Sequence, residues 1–148
     1  MEFAGVAHVT LTSSKYEECV KFYDAVLGHL GMKPYITNQF ARGWWIDEFM
    51  FVIVRGAQAG DHFSQFRVGL HHLSFRARSR KEVDEFEAML KSIGAKITSP
   101  AEPGPFWPGY YSVVCEDPDG VRIEVNYIPA EGWKAVGEAS DRIASGRA

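Results

Sequence analysis

The chain contains one pattern twice, and that repeat limits its fold more than any other feature. HVTLTSSKYEECVKFYDAVLGHLGMK (residues 8–33) matches HLSFRARSRKEVDEFEAMLKSIGAK (residues 72–96) in the order of its polar and apolar positions. His8 meets His72, Val9 meets Leu73, Thr10 meets Ser74 and Leu11 meets Phe75. Glu18 meets Glu82 and Phe22 meets Phe86. After a one-residue slip, Leu27 meets Leu90, Leu30 meets Ile93, Gly31 meets Gly94 and Lys33 meets Lys96. One supersecondary unit therefore occurs twice.

Each copy follows the same physical plan. A strand opens it, at 7–12 and at 70–77, where apolar and polar residues alternate. Ser14 precedes Glu17 by three residues and Ser79 precedes Glu82 by three, the spacing of a capping box at a helix start. The first helix is expected to bury Cys19, Phe22, Val26 and Leu30, and the second Val83, Phe86, Leu90 and Ile93. Gly31 and Gly94 end them, because glycine accepts the left-handed conformation that closes a helix. Further strands are expected at 33–37, 41–47, 49–55, 96–99, 110–115 and 121–127. EDPDG (116–120) supplies the turn between the last two.

Each half is thus βαβββ, an α+β plan. Module one covers 6–55, a linker 56–69 and module two 70–128. The tail 129–148 holds a short helix around Trp133 or frays. A length of 148 residues suits one domain.

Composition narrows the partners. A net charge of −3 gives no basic surface for nucleic acid or an anionic membrane. No apolar run approaches the roughly 18 residues of a membrane span. The start, MEFAGVAHVTL, lacks the basic and apolar regions of a signal peptide, so a soluble cytoplasmic protein is expected. Cys19 and Cys115 fit no CxxC spacing and read as buried, reduced thiols. His29, near a helix C-terminus, reads as a surface residue facing the helix dipole. His62, in the linker, has no evident partner.

Alternation then sorts the strand faces. His8, Thr10 and Thr12 share one face of the first strand, and His72, Ser74 and Arg76 one face of the fifth. Arg122, Glu124 and Asn126 share one face of the last. His71 goes to the opposite face, with Leu73 and Phe75, under the helix layer or at the module seam. A single histidine or glutamate on a polar face usually meets water. Here two histidines occupy the same repeat position and a carboxylate lies on the closing strand. Two imidazoles and one carboxylate suit Fe(II), Mn(II), Zn(II) or Ni(II), with positions left open for substrate.

HVTL, HHLSF and above all DPDGVRIEV, on a paired βαβββ plan, resemble the vicinal oxygen chelate superfamily of glyoxalases, bleomycin resistance proteins and extradiol dioxygenases. The resemblance covers residues 6–128. It implies two modules that form an open, cup-shaped mixed sheet with helices outside. It also implies a divalent metal held by His8, His72 and Glu124. Glyoxalase I has a fourth ligand, a glutamate; here Ile53 or Val52 aligns with Glu124, and neither can ligate a metal. Glu48 is the nearest carboxylate but sits at a hairpin turn.

The expected substrate contacts are Arg42, one of Trp44 and Trp45, the aromatics Phe106 and Trp107 of a proline-stiffened loop, and a hydroxyl from Tyr110 or Tyr111. No residue stands out as a catalytic acid or base. The resemblance implies a metal-dependent lyase, isomerase or dioxygenase acting on a small molecule, in a homodimer. The alternative it carries is a metal-free drug-binding protein of the bleomycin resistance type.

Overall fold

The computed structural model describes residues 2–56, 58 and 60–145. The chain forms two compact units, Met1–Arg67 with Asp117–Val121, and Val68–Glu116 with Arg122–Ala148. The first holds β1 (His8–Ser13), α1 (Tyr16–His29), β2 (Lys33–Thr37), β3 (Ala41–Ile46) and β4 (Phe49–Arg55). Its sheet runs in the order β1-β4-β3-β2, with β1 parallel to β4 and the other pairs antiparallel. The second holds β5 (Leu73–Arg76), α2 (Arg80–Ser92), β6 (Lys96–Pro103), β7 (Tyr111–Glu116) and β8 (Arg122–Tyr127), followed by α3 (Ala130–Ala144). Its order, β5-β8-β7-β6 with β5 parallel to β8, is the same arrangement. The fold is α+β: two mixed four-stranded sheets of repeated topology, with three helices among the described residues.

Helix ends follow the repeat closely at one end only. Both C-termini close identically. Met32 N donates to Leu27 O and Gly31 N to Gly28 O; Ala95 N donates to Leu90 O and Gly94 N to Lys91 O. These paired bonds form Schellman motifs, with the two glycines at φ 84° and 67°. At the N-termini the copies part. Ser79 Oγ accepts from Glu82 N, and the Glu82 carboxylate turns back to accept from Arg78 N. Ser14 does not cap α1, whose N-cap is Lys15 without a side-chain bond. Its hydroxyl donates instead to Asp119.

The cores are the helix-facing sides of the sheets. Tyr23, Val26 and Leu27 of α1 are fully buried, and the Tyr23 ring lies 4.8 Å from Phe51 and 6.0 Å from Trp44. Val83, Phe86 and Leu90 of α2 are buried in the same way, as are Val113, Cys115, Ile123 and Val125 of its sheet. Each such side chain contributes about 1.5–3 kcal/mol by leaving water. Leu30 and Ile93, expected in the core, are the C-cap residues instead. There the chain leaves the helix axis, and Ile93 is 42% exposed.

Two strands differ from expectation by more than one residue at an end. The strand expected at 70–77 begins only at Leu73, which pairs with Ile123. Its partner β8 starts at Arg122, after the turn Asp117–Val121, so no β8 residue stands opposite His71, and the ladder begins one position after His72. β6 runs on to Pro103, through Pro100. It is an edge strand with a register shift between Ser99 and Glu102, where a proline's missing N–H breaks no ladder bond. The tail helix is also longer than expected, at 15 residues.

The turn Asp117–Val121 is tied into the first unit. Asp119 accepts from Ser13 Oγ at 2.7 Å, Ser14 Oγ at 2.5 Å and Ser14 N at 3.0 Å. Asp117 accepts from Tyr23 Oη at 2.8 Å and from Val121 N and Asp119 N. His62, expected to stand alone, lies over this turn: a Cβ at Gly120, whose φ is 90°, would come within 2.5 Å of its ring.

Candidate functional site

The face of the second sheet turned away from α2 builds a chain of polar contacts. Ser74, Glu124 and Val114 form one cross-strand row, and Asn126 and Ser112 part of the next. Glu124 is buried, at 6% exposure. Its Oε1 accepts from Tyr110 Oη at 2.5 Å, and its Oε2 lies 3.2 Å from His72 Nε2. Asn126 Nδ2 donates to Ser74 Oγ at 2.8 Å and reaches Tyr110 Oη at 3.4 Å. Burial, reinforced by the Glu124 carboxylate, pushes the Tyr110 phenol up to about 12. It therefore stays protonated and acts as a fixed donor.

A pocket of about 550 Å³ opens over this row. Its walls include His71, His72, Phe106, Trp107, Tyr110 and Glu124. Phe106 is 67% exposed and meets the Tyr110 ring edge-on at 5.3 Å. The loop carrying Phe106 and Trp107 is pinned by bonds from Gly104 N to Tyr110 O and from Tyr110 N to Trp107 O. One end of the pocket is therefore acidic and imidazole-bearing, and the other aromatic.

His71 differs from its expected place. It is exposed, it lines the same pocket, and its Nδ1 is 2.7 Å from His72 Nδ1. Strand alternation does not govern residues that lie outside the ladder. The DPDG turn, by setting the start of β8 at Arg122, is the sequence signal that His71 lies outside the ladder.

The structure also separates the paired aromatic candidates. Tyr110 enters the pocket. Tyr111, one residue on, faces α2 and donates to Asp84 Oδ1 and Ala101 O, so it is not a pocket residue. In the first unit, Trp44 is 1% exposed, packs under α1 and donates from Nε1 to Asp24 Oδ1. It is a core residue rather than a substrate contact. Arg42, on the same face, is held by the same carboxylate at 2.6 Å and by Thr37, and so is committed to structure.

Trp45 points to the opposite face. It is 45% exposed beside a smaller hollow with Tyr35, Asp47, Glu48 and Met50. Register sets His8, Met50 and Trp45 in one cross-strand row there. Register also identifies the counterpart of Glu124. Ser74 pairs with Glu124 in the second unit as Thr10 pairs with Val52 in the first. Val52, not Ile53, holds the position. Among the described residues, no three His, Cys, Asp or Glu side chains are gathered into a metal-holding group, and no helix is long and apolar enough to cross a membrane.

Comparison with known proteins agrees with this architecture. Residues 5–125 match the Glyoxalase/Bleomycin resistance protein/Dioxygenase superfamily. The uncharacterized protein YqjT of Bacillus subtilis (strain 168) is 32% identical over 121 residues, covering 80% of this chain and 94% of that protein. A candidate glyoxalase from Bacillus halodurans superposes with a TM-score of 0.76 at 30% identity, over 84% of this chain and 96% of the other. A glyoxalase/bleomycin resistance protein from Albidiferax ferrireducens T118 gives 0.66 at 29% identity, over 83% and 98%. With its repeated βαβββ units and its DPDGVRIEV turn and strand, the chain belongs to the glyoxalase/bleomycin resistance protein/dioxygenase superfamily.

Proposed function

We propose that this chain is a divalent-metal-dependent enzyme acting on a small organic molecule that presents two neighbouring oxygens. The supporting observation is the His72–Glu124–Tyr110 constellation at the acidic end of an aromatic pocket. His72 Nε2 and Glu124 Oε2 are 3.2 Å apart. The donor chemistry, one imidazole and one carboxylate, suits Fe(II), Mn(II), Zn(II) or Ni(II).

His8 is the proposed third ligand, on its repeat equivalence to His72. Val52 supplies no fourth ligand, which would leave positions for substrate oxygens. A divalent ion held there would supply Lewis-acid chemistry. The remaining roles fall to the protein. Tyr110 holds Glu124 in one orientation. Phe106 and Trp107 cover the apolar part of the substrate and exclude water. Trp45 is a further contact in the proposal. Lyase, isomerase and ring-cleaving dioxygenase chemistry all use such a site. The chain is proposed to work as a cytoplasmic homodimer, as the family resemblance implies.

Elemental analysis of protein purified without chelator tests the site. Near-stoichiometric divalent metal is expected, lost in His72→Ala and retained in His71→Ala. Retention by His72→Ala would overturn the assignment.

A metal-free binding protein is the second reading. It is favoured by the existing contacts of Glu124, whose two oxygens are already met by Tyr110 and His72. If the protein cannot be loaded with Fe, Mn, Zn or Ni, this reading replaces the first.

A further inference from the structure

The smaller hollow of the first unit, at the β3–β4 hairpin, has walls that the backbone sets in place. In the β2–β3 ladder Pro34 pairs with Trp44 and Ile36 with Gly43, so Tyr35 is the extra residue of a bulge. A bulge re-aims the side chain it carries. The Tyr35 ring lies over Gly43, where an added Cβ would meet its Cε1 at 2.8 Å. Glycine at that position gives the ring its seat. Trp45, two residues along β3, shares the face of Gly43 by alternation, and Met50 pairs with Trp45 across the next ladder. Tyr35 is 43% exposed and Trp45 45%. Two aromatic rings and a thioether therefore meet solvent on one sheet face.

The hairpin turn brings charge to the same place. Asp47 and Glu48 connect β3 to β4, and both are exposed. Asp47 has φ 49°, in the left-handed region that aspartate and asparagine enter more readily than most residues with a side chain. The hollow measures about 340 Å³ and is lined by Tyr35, Trp45, Asp47, Glu48 and Met50. That volume lies at the small end of ligand sites. Lys33, opposite Trp45 in the register, is not part of the lining.

This combination selects among cations. A hard ion such as Ca(II) takes about six to eight oxygen ligands and gains nothing from rings or sulfur. A weakly hydrated organic ammonium gains from both. Its charge is drawn to the ring faces and to the carboxylates, and its methyl groups pack against the thioether.

We propose that the hollow at the β3–β4 hairpin binds the quaternary ammonium group of a small organic cation, with Tyr35 and Trp45 as ring contacts and Asp47 and Glu48 as the counter-charge. The inference does not rest on the metal reading above and shares only Trp45 with it.

The test is a titration of the full-length protein with choline, followed through the indole 1H–15N signals of its four tryptophans. The Trp45 signal is assigned by its loss in Trp45→Phe. It should shift saturably, and the Trp107 signal should not. The neutral isostere 3,3-dimethylbutan-1-ol, with carbon in place of nitrogen, should bind about tenfold more weakly, since it has no charge to offer the rings or carboxylates. Equal affinity for the two probes would overturn the cation preference. A shift centred on Trp107, or no saturable shift at all, would overturn the site.

Two variants divide the contributions. Asp47→Asn with Glu48→Gln keeps the shape of the turn, because asparagine also accepts a positive φ. It should weaken choline about tenfold, as loss of two nearby opposite charges does, and leave the alcohol unchanged. Tyr35→Leu keeps apolar bulk without the ring face and should weaken choline about two- to fivefold. Choline affinity unchanged in both variants would overturn the proposal. Metal content is measured separately, so failure here leaves the proposed metal site standing, and the reverse.

Discussion

Glu124 carries the most consequence of any single residue, because it is charged chemistry placed in a buried position. Its side chain is held by Tyr110 and faces His72. Tyr110→Phe removes the hydroxyl and leaves Oε1 without that donor. A loss of about 1–3 kcal/mol in urea unfolding is expected, the ordinary cost of an unmet buried acceptor. In wild type the same hydroxyl resists ionisation. Alkaline absorbance titration should show late-ionising tyrosines, one fewer in Tyr110→Phe than in wild type. The glutamate and its face were legible in the alternation of RIEVNY, and His72 in its match to His8 in the repeat. The choice of Tyr110 over Tyr111 was not. It depends on where the loop ends and β7 begins, and two adjacent tyrosines carry no local signal for that.

Helix α1 and helix α2 begin with the same serine–glutamate spacing and use it differently. Ser79 caps its own helix. Ser14 serves Asp119, from a turn more than a hundred residues away in sequence. Ser79→Ala should therefore cost about 1 kcal/mol, the ordinary loss of an N-cap. Asp119→Ala should cost more, about 2–4 kcal/mol, because several donors, Ser13 and Ser14 among them, lose a charged acceptor together. Urea midpoints of the two variants under one set of conditions compare them directly. A smaller loss for Asp119→Ala would show that the turn is not an anchor of the first unit. The C-terminal Schellman motifs were legible because glycine's freedom is local. The N-terminal difference was not, because a long-range carboxylate competes for the serine.

Across the whole chain, Asp117 and Asp119 set the response to pH. Burial raises the Asp117 carboxyl to about 6, despite the bonds from Tyr23 and the backbone that favour its charge. Burial also acts upward on Asp119, but the serine hydroxyls, Cys19 and the Lys15 amide outweigh it and hold that carboxyl below the usual range. A raised carboxyl makes the folded state bind its proton more tightly than the unfolded state. Its contribution is therefore largest in acid and is lost as pH rises through about 4 to 6. Two pKa units correspond to about 3 kcal/mol. Asp119 has the opposite sign: its contribution is present above its ordinary value and disappears as pH falls below it. Stability should rise as pH drops from 7 to 5 and fall again below about 4. Asp117→Asn should flatten the first limb and keep the second. Urea unfolding across this range measures both.

The sequence by itself determined the repeat, the α+β topology, the polar sheet faces and the superfamily, because strand alternation, helical periodicity and glycine closures are properties of neighbouring residues. Of the three residues read as ligands, His72 and Glu124 lie 3.2 Å apart. Only the tertiary structure decided the rest. Trp44 and Arg42 belong to Asp24 and the core, not to a ligand. His71 stands beside His72 in the pocket, although adjacent strand residues should diverge. The physical reason is the same in each case. A side chain's partner is chosen by whatever the folded chain brings opposite it, and the alternation that orients it holds only as far as the hydrogen-bonded ladder extends.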